Sequence, residues 1–266
     1  MIKFWSYKRE YKKYGNIFLK KIKKTLDKGT IFFGDQLNLF ERNFVIKYKG
    51  KYGIAVRSGT DALLISLKAL NLKPRDEVIT AANTAIPTIS AIINSGAKPK
   101  LVDIGEDYLI DVKKIEKQIN SRTKAIIPVH LYGQACDMKK ILKISKKYKI
   151  PIIEDCAQSQ GAKFKNKFVG TFGTFGCFSF YPTKILGSYG DGGFILTDNF
   201  QLYKKIKRLR FYGIETEDRR NRYHGKYYAN ENGYNSRLDE IQASILNFKF
   251  KKIDYLVKRR RQLVKI

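Results

Sequence analysis

This chain of 266 residues is short of cysteine, histidine and acid. Its three cysteines, Cys136, Cys156 and Cys177, are odd in number and far apart, and no Cys-x-x-Cys pair occurs. With only two histidines in the chain, that excludes a zinc framework and argues for a reducing, cytoplasmic setting. No apolar run approaches the length of a membrane span. Lysines interrupt the first residues too often for the apolar core of a signal peptide. Asp and Glu total 24 against 53 Lys and Arg, a formal charge of +29. Such an excess marks either a nucleic-acid binder that grips phosphates or a bias in which lysine fills exposed positions. The basic residues run from Lys3 to Lys265, mostly on the polar faces of expected helices, with no nucleic-acid motif beside them. The compositional reading is therefore preferred, and nucleic acid is kept as the minor alternative.

What the chain does have is apolar content of 43%, with 13% aromatics, enough for one large core or a large domain with an appendage. Residues 1–30 read as a basic amphipathic helix with Ile17, Phe18, Ile22 and Leu26 on one face, suited to docking on a main domain. Phe32-Phe33-Gly34 turns the chain into a second helix, Leu37 to Tyr48. From Ile54 strands and helices alternate. Expected strands are Ile54–Val56, Val78–Thr80, Leu101–Ile104, Ala125–Val129 and Pro151–Asp155, and Asp111 and Asp137 are placed to cap helices. Tyr148 is counted on the apolar face of the helix that Asp137 opens. This predicts an α/β domain around a largely parallel sheet, with ligands at the carboxyl ends of the strands. After a helix over Phe200–Phe211 comes a tyrosine-rich loop, Gly213 to Asn232. A long helical pattern then starts near Arg237 and is still running at Ile266.

The stretch Cys177 to Lys184, followed by Ile185-Leu186-Gly187-Ser188-Tyr189-Gly190-Asp191-Gly192-Gly193, holds one lysine between a strand and a glycine-rich loop. An amine fixed there reaches either a bound ligand or solvent. Ser58-Gly59-Thr60 at a helix start is an anion cradle or an ordinary N-cap. Asp155, closing a buried strand, is a counter-charge for a cationic ligand atom or half of a structural salt bridge. His130 is read as a local hydrogen-bonding residue, Cys156 as a packed thiol, and Lys258-Arg259-Arg260-Arg261 as a solvated helix face. Taken together, a phosphate cradle, a buried aspartate and a loop lysine are what pyridoxal phosphate needs.

Six segments carry a specific resemblance: Ser58-Gly59-Thr60-Asp61-Ala62-Leu63, Glu77 through Thr88, Pro128 through Gln134, Glu154 through Ser159, Ser179 through Gly193, and Gly233 through Glu240. In that order, across Phe33 to Ala243, the chain resembles the DegT/DnrJ/EryC1/StrS family of sugar aminotransferases. The resemblance implies the fold of the type I pyridoxal-phosphate enzymes, a mostly parallel mixed sheet between helices. It implies that Lys184 is the Schiff-base lysine, that Asp155 partners the pyridine nitrogen, and that Gln158 lies beside the ring oxygen. Gly59, Thr60 and Ser179 match phosphate ligands, and Asn235 matches an asparagine offered by the other subunit of a homodimer. No metal is implied. Where many members carry a ring-stacking aromatic residue this chain has Ala85, so stacking is expected to be weak or to come from elsewhere.

The implied reaction moves an amino group from an amino acid, glutamate being expected, to a nucleotide-linked keto-deoxysugar. The look of Ala85–Thr88, His130–Gln134 and Arg210–Gly213 favours a dTDP-3-keto-6-deoxyhexose. A 4-keto sugar, and a non-catalytic relic binding phosphate or nucleic acid, stay as alternatives. The implied organisation is a basic helical segment over residues 1–30, a cofactor-binding large domain over 31–236, and over 237–266 the start of a helix leading to a C-terminal domain largely missing from this chain. Leu256, Val257, Leu263 and Val264 are then expected to lack cover.

Overall fold

The structure, a computed structural model, describes residues 6–215 and 228–264. The middle of the tyrosine-rich loop and the last two residues of the chain lie outside the described residues. Strands are β1 (Tyr52–Val56), β2 (Glu77–Ala81), β3 (Lys98–Val102), β4 (Thr123–Ile127), β5 (Ile153–Asp155), β6 (Lys163–Phe164), β7 (Lys167–Phe168), β8 (Phe175–Ser179) and β9 (Gly193–Thr197). Helices are α1 (Tyr7–Asp27), α2 (Asp35–Tyr48), α3 (Gly59–Ala69), α4 (Ile86–Asn94), α5 (Val112–Gln118), α6 (Met138–Tyr148), α7 (Phe200–Leu209), α8 (Glu240–Phe250) and α9 (Ile253–Leu263). The bridges Ile126–Ile152 and Val129–Asp155 join β4 to β5. They merge two ladders into one sheet ordered β3-β2-β4-β5-β8-β9-β1, in which only β9 runs against the others. The carboxyl ends of β1, β2, β4, β5 and β8 therefore lie along one edge, the edge where such sheets hold ligands.

Side chains alternate faces along a strand, and two buried clusters follow from that. Ile54, Val56, Cys177 and Ile195 belong to the aliphatic layer with residues of α3, α4, α5, α6 and α7. Ala55, Phe178, Phe194 and Leu196 belong to a layer of rings completed by Phe40, Phe44 and Tyr48 of α2 and Phe250 of α8. Phe44 is fully buried, stacked at 4.2 Å on Phe194 and at 4.4 Å on Tyr48. Burying a side chain of this size contributes about 1.5–3 kcal/mol.

The first turn of α2 has no side-chain cap of its own, because its N-cap is Gly34. Glu240 of α8 supplies one from more than 200 residues away, accepting from the amides of Gly34 (2.9 Å), Gln36 (2.8 Å) and Leu37 (2.9 Å). A carboxylate at a helix N-terminus meets both the free amides and the positive end of the dipole.

Several sequence expectations need correction. α1 does dock, but on α8: Tyr14 and Phe18 pack against Phe248 at 5.3 and 5.8 Å, while Ile17 and Leu26 are exposed. A helix lying on the outside, against α8 and Tyr189, buries only a narrow stripe. β3 begins at Lys98 and includes Pro99, tolerated because β3 is an edge strand. In α6 Ile144, not Tyr148, completes the buried face. The pattern from Arg237 is two helices: Asp239 caps α8 by accepting from Gln242, and the chain turns at Lys251–Lys252 before α9. Leu238, Ala243, Leu246, Phe250 and Ile253 are part of the ring layer. Leu263 and Val264 are exposed, Leu256 and Val257 half-buried.

Replacing Glu240 with alanine strands three amides at the start of α2. The expected loss is about 3 kcal/mol, read as a lower urea midpoint; an unchanged midpoint would mean that α2 does not depend on this cap.

Candidate active site

Asp155 is 5% exposed at the end of β5. Its Oδ1 accepts the Ala157 amide at 3.0 Å, and its Oδ2 accepts the Thr88 hydroxyl at 2.8 Å. A carboxylate offers roughly four acceptor positions, so about half of this one's capacity is unfilled. No lysine or arginine among the described residues forms an ion pair with it. The salt-bridge alternative thus fails. Burial pushes the Asp155 carboxyl above the ordinary range, opposed by the Ala157 amide, the Thr88 hydroxyl and the charge of Lys184.

The neighbouring acid has a fuller set of hydrogen-bond donors. Glu154, fully buried, accepts from the amides of Gly170, Phe172 and Gly173 at 2.7–2.8 Å and meets His130 Nε2 at 3.0 Å. Since the Cys136 amide donates to His130 Nδ1 at 3.1 Å, the ring proton sits on Nε2 and goes to Glu154. His130 is therefore the local hydrogen-bonding residue expected. Cys156 is buried beside it, and burial raises its thiol well above the usual range. These three side chains group together, but Glu154 already has a protein donor for about every acceptor position it offers.

Lys184 enters the same space from the loop between β8 and β9. Ser188, fully buried, ties that loop down through its amide and hydroxyl, each donating to Phe180 O at 2.8 Å. Gly187 permits the tight return, since a Cβ there would lie 2.3 Å from Pro182 O. Lys184 is half-buried, and burial lowers its amine pKa against the opposing pull of Asp155.

The third component is the N-terminus of α3. Ser58 caps it by accepting from Asp61 N at 3.0 Å, while the Gly59 and Thr60 amides, with no acceptor inside the helix, border the same space. Gly59 is required here, because a Cβ would stand 2.6 Å from Ser179 Cβ. Ser58, Gly59, Thr60, Asp155, Gln158, Ser179 and Lys184 all line one cavity of about 290 Å³, with Ala85 and Thr88 in its wall. Gln158 is oriented by its Oε1, which accepts the Tyr132 amide at 3.0 Å, so its NH2 is free to face a ligand. The aromatic side chain in the lining is Tyr181.

Asn235 is the one expected residue that is not brought in. It is exposed and absent from the cavity lining, although its neighbour Ser236 is buried and donates to Asp61 Oδ2 at 2.8 Å in the first turn of α3. Sequence reasoning missed Thr88; its place in the first turn of α4, just after a strand's carboxyl end, was the available signal.

With this geometry in view, comparison is informative. The model of the DegT/DnrJ/EryC1/StrS aminotransferase family matches residues 13–266. The chain belongs to that family. It is 39% identical over 259 residues to a dTDP-3-amino-3,4,6-trideoxy-alpha-D-glucose transaminase of Micromonospora megalomicea subsp. nigra, covering 97% of this chain and 67% of the relative. It is 42% identical over 230 residues to a UDP-N-acetyl-3-dehydro-alpha-D-glucosamine 3-aminotransferase of Acidithiobacillus ferrooxidans, covering 86% of this chain and 60% of the relative. NtdA of Bacillus subtilis, solved with bound cofactor PMP, superposes with a TM-score of 0.80 at 36% identity, over 90% of this chain and 52% of that one. The chain thus spans about half to two-thirds of the length of these family members.

A buried amine of lowered pKa is unprotonated, and so nucleophilic, at a lower pH than its exposed counterparts. Brief treatment with a small aldehyde and cyanoborohydride near pH 8 is expected to label the peptide holding Lys184 ahead of the other lysine peptides. Uniform labelling in peptide mass spectrometry would show that this amine is not set apart.

Proposed function

We propose that this chain carries the cofactor half of a pyridoxal 5'-phosphate-dependent nucleotide-sugar aminotransferase, residues 31–236 forming its large domain. The observation carrying that reading is the opening of Lys184 and Asp155 into one cavity bordered by the N-terminus of α3. The group fits the donor set. Anion-binding amides lie at one end, a carboxylate with unfilled acceptor capacity is aimed into the space, and one amine stands beside it. When bound, pyridoxal phosphate supplies an electron sink for a carbanion next to nitrogen.

In this reading the Gly59 and Thr60 amides and the Thr60 and Ser179 hydroxyls hold the phosphate. The Asp155 carboxylate keeps a proton on the ring nitrogen, and the Gln158 NH2 donates to the ring oxygen. Lys184 Nζ is the amine that would hold the cofactor, and as general base and acid it would move the proton at the donor α-carbon and, in reverse, at the sugar carbon. Asn235, exposed in its own chain, is offered to the phosphate of a second copy, which makes the working unit a homodimer. The amino donor is glutamate and the acceptor a nucleotide-linked 3-keto-deoxysugar, dTDP-3-keto-6-deoxyhexose being the first choice, in deoxyaminosugar or surface-polysaccharide synthesis. Both relatives named above carry the amino group at C3 in their names, one on dTDP and one on UDP, which supports the position more firmly than the nucleotide. No helix among the described residues is long and apolar enough to cross a membrane; the proposed setting is the cytoplasm.

The test is to mix the purified chain with pyridoxal phosphate. A visible absorbance band is expected, with borohydride fixing the cofactor on the Lys184 peptide. Lys184→Ala abolishes the fixation while leaving the fold intact. A trapped link elsewhere would overturn the assignment, and no band in the wild type would favour a non-catalytic phosphate binder.

Asp155→Asn is expected to bind the cofactor yet lose a hundredfold or more in turnover of glutamate and keto-sugar, on the order of 3 kcal/mol for a preorganised charge. Near-native turnover would reduce Asp155 to a structural group.

A further inference from the structure

Asp155 comes from β5 and Thr88 from α4, two segments 67 residues apart that meet at the cavity wall. The contact is more than a chance hydrogen bond, because its direction is fixed. An ionised carboxylate only accepts, so the single hydroxyl proton of Thr88 goes to Asp155 Oδ2. Thr88 Oγ1 must then accept from Thr84 Oγ1, 2.8 Å away. The result is a one-way relay, Thr84 O–H to Thr88 O–H to the carboxylate, in which each bond polarises the next. Thr88 itself is held still: it is 1% exposed, and its amide donates to Ala85 O at 3.1 Å.

The torsion that turns a carboxylate about its last bond is soft. One hydrogen bond from Ala157 to Oδ1 would leave that rotation loosely held. The second, to Oδ2, fixes the plane, and it leaves the remaining acceptor positions for the cavity. We infer that Thr88 is a positioning residue: its hydroxyl, fed by Thr84, orients the Asp155 carboxylate toward a cationic ring nitrogen in the cavity. Thr88 lines the cavity wall, but its hydroxyl is spent on Asp155 and acts through that carboxylate. The inference rests on the function proposed above. Two features of the surroundings agree with it. Burial opposes the Asp155 charge, so each donor matters to keeping it. Glu154, the neighbouring acid, has its own donors and competes for none of these.

The experiment measures pyridoxal-phosphate affinity of the chain by absorbance titration for wild type, T88V, T88S and T84V. T88V keeps the shape and removes the donor, and its dissociation constant is expected to rise about tenfold, the usual worth of a hydrogen bond to a charged group. T88S, which restores the hydroxyl, stays within about twofold of wild type. T84V, which leaves the Thr88 donor in place, rises by less than T88V and serves should T88V not fold. Inorganic phosphate, which reads only the anion end, keeps the same inhibition constant in every variant. An unchanged T88V overturns the inference. So does a T88S as weak as T88V, a T84V with affinity equal to wild type where T88V cannot be folded, or a parallel rise in the phosphate inhibition constant. A wild type that binds no cofactor overturns the parent reading and this one with it, whereas a binding wild type with an unaffected T88V overturns this one alone.

Discussion

The cost of keeping a carboxylate ionised away from water governs this end of the molecule. β5 closes on two adjacent acids, Glu154 and Asp155, both with almost no exposure. Alternation along the strand sends them to opposite sides, and the two sides solve the cost differently. Glu154 faces the turn at Gly170–Gly173 and is neutralised in effect by three amides and an imidazole N–H. Asp155 faces the cavity with two donors and no cation within ion-pair distance among the described residues. An acid left half-satisfied in a cavity is expensive unless a ligand completes it. That imbalance, more than the presence of an aspartate, makes the cavity read as a binding site.

The remaining elements can be understood as holding other groups at a set distance from that carboxylate. β8 lies parallel to β5 and delivers Ser179; the loop that follows is tied back onto Phe180 and delivers Lys184. β9 then returns antiparallel, and Gly193 passes so close to Ser58 that a Cβ there would stand 2.2 Å from Ser58 O. That backbone approach seats the start of α3 beside β8. Beneath it, the rings of Phe40, Phe44, Phe178 and Phe194 form a rigid floor, and Glu240 and α8 clamp α2 to it. α1 reaches the same loop from outside, with Phe18 at 5.0 Å from Tyr189 and Lys249 paired to Glu10 at 2.8 Å.

Much of this was legible in the residues because the signals were local. Short apolar runs announced β1, β2, β4 and β8, Asp111 and Asp137 cap as read, and the glycines around Lys184 marked a constrained loop. What stayed hidden depends on contacts between distant segments. The Glu240 cap joins residues about 205 apart, and the Thr88–Asp155 bond joins two motifs that looked independent. The faces of α1 were misjudged because periodicity shows how wide an apolar stripe is, not how much of it a neighbour covers. The turn at Lys251–Lys252 interrupts an otherwise continuous helical pattern and carries no proline or glycine to announce it. Asn235 could not be assigned a place within one chain at all, since its side of the segment faces outward while Ser236 anchors the other.

The charge of +29 is the compositional feature that the site uses least. Among the described residues one amine enters the cavity, and the basic side chains that are buried are committed elsewhere: Arg210 to Glu41 and to Ala55 O, Lys249 to Glu10. The run Lys258–Arg261 is exposed along α9, as a solvated helix face should be. Charges of this kind are screened over about 8–10 Å at physiological salt, so they do not set the chemistry at Asp155. On an anionic ligand they act through the field at longer range, which raises encounter rates at low ionic strength and fades as salt is added. Capture and chemistry are thereby separable in this protein: the first belongs to the whole surface, the second to the few polar groups that meet at the end of β5.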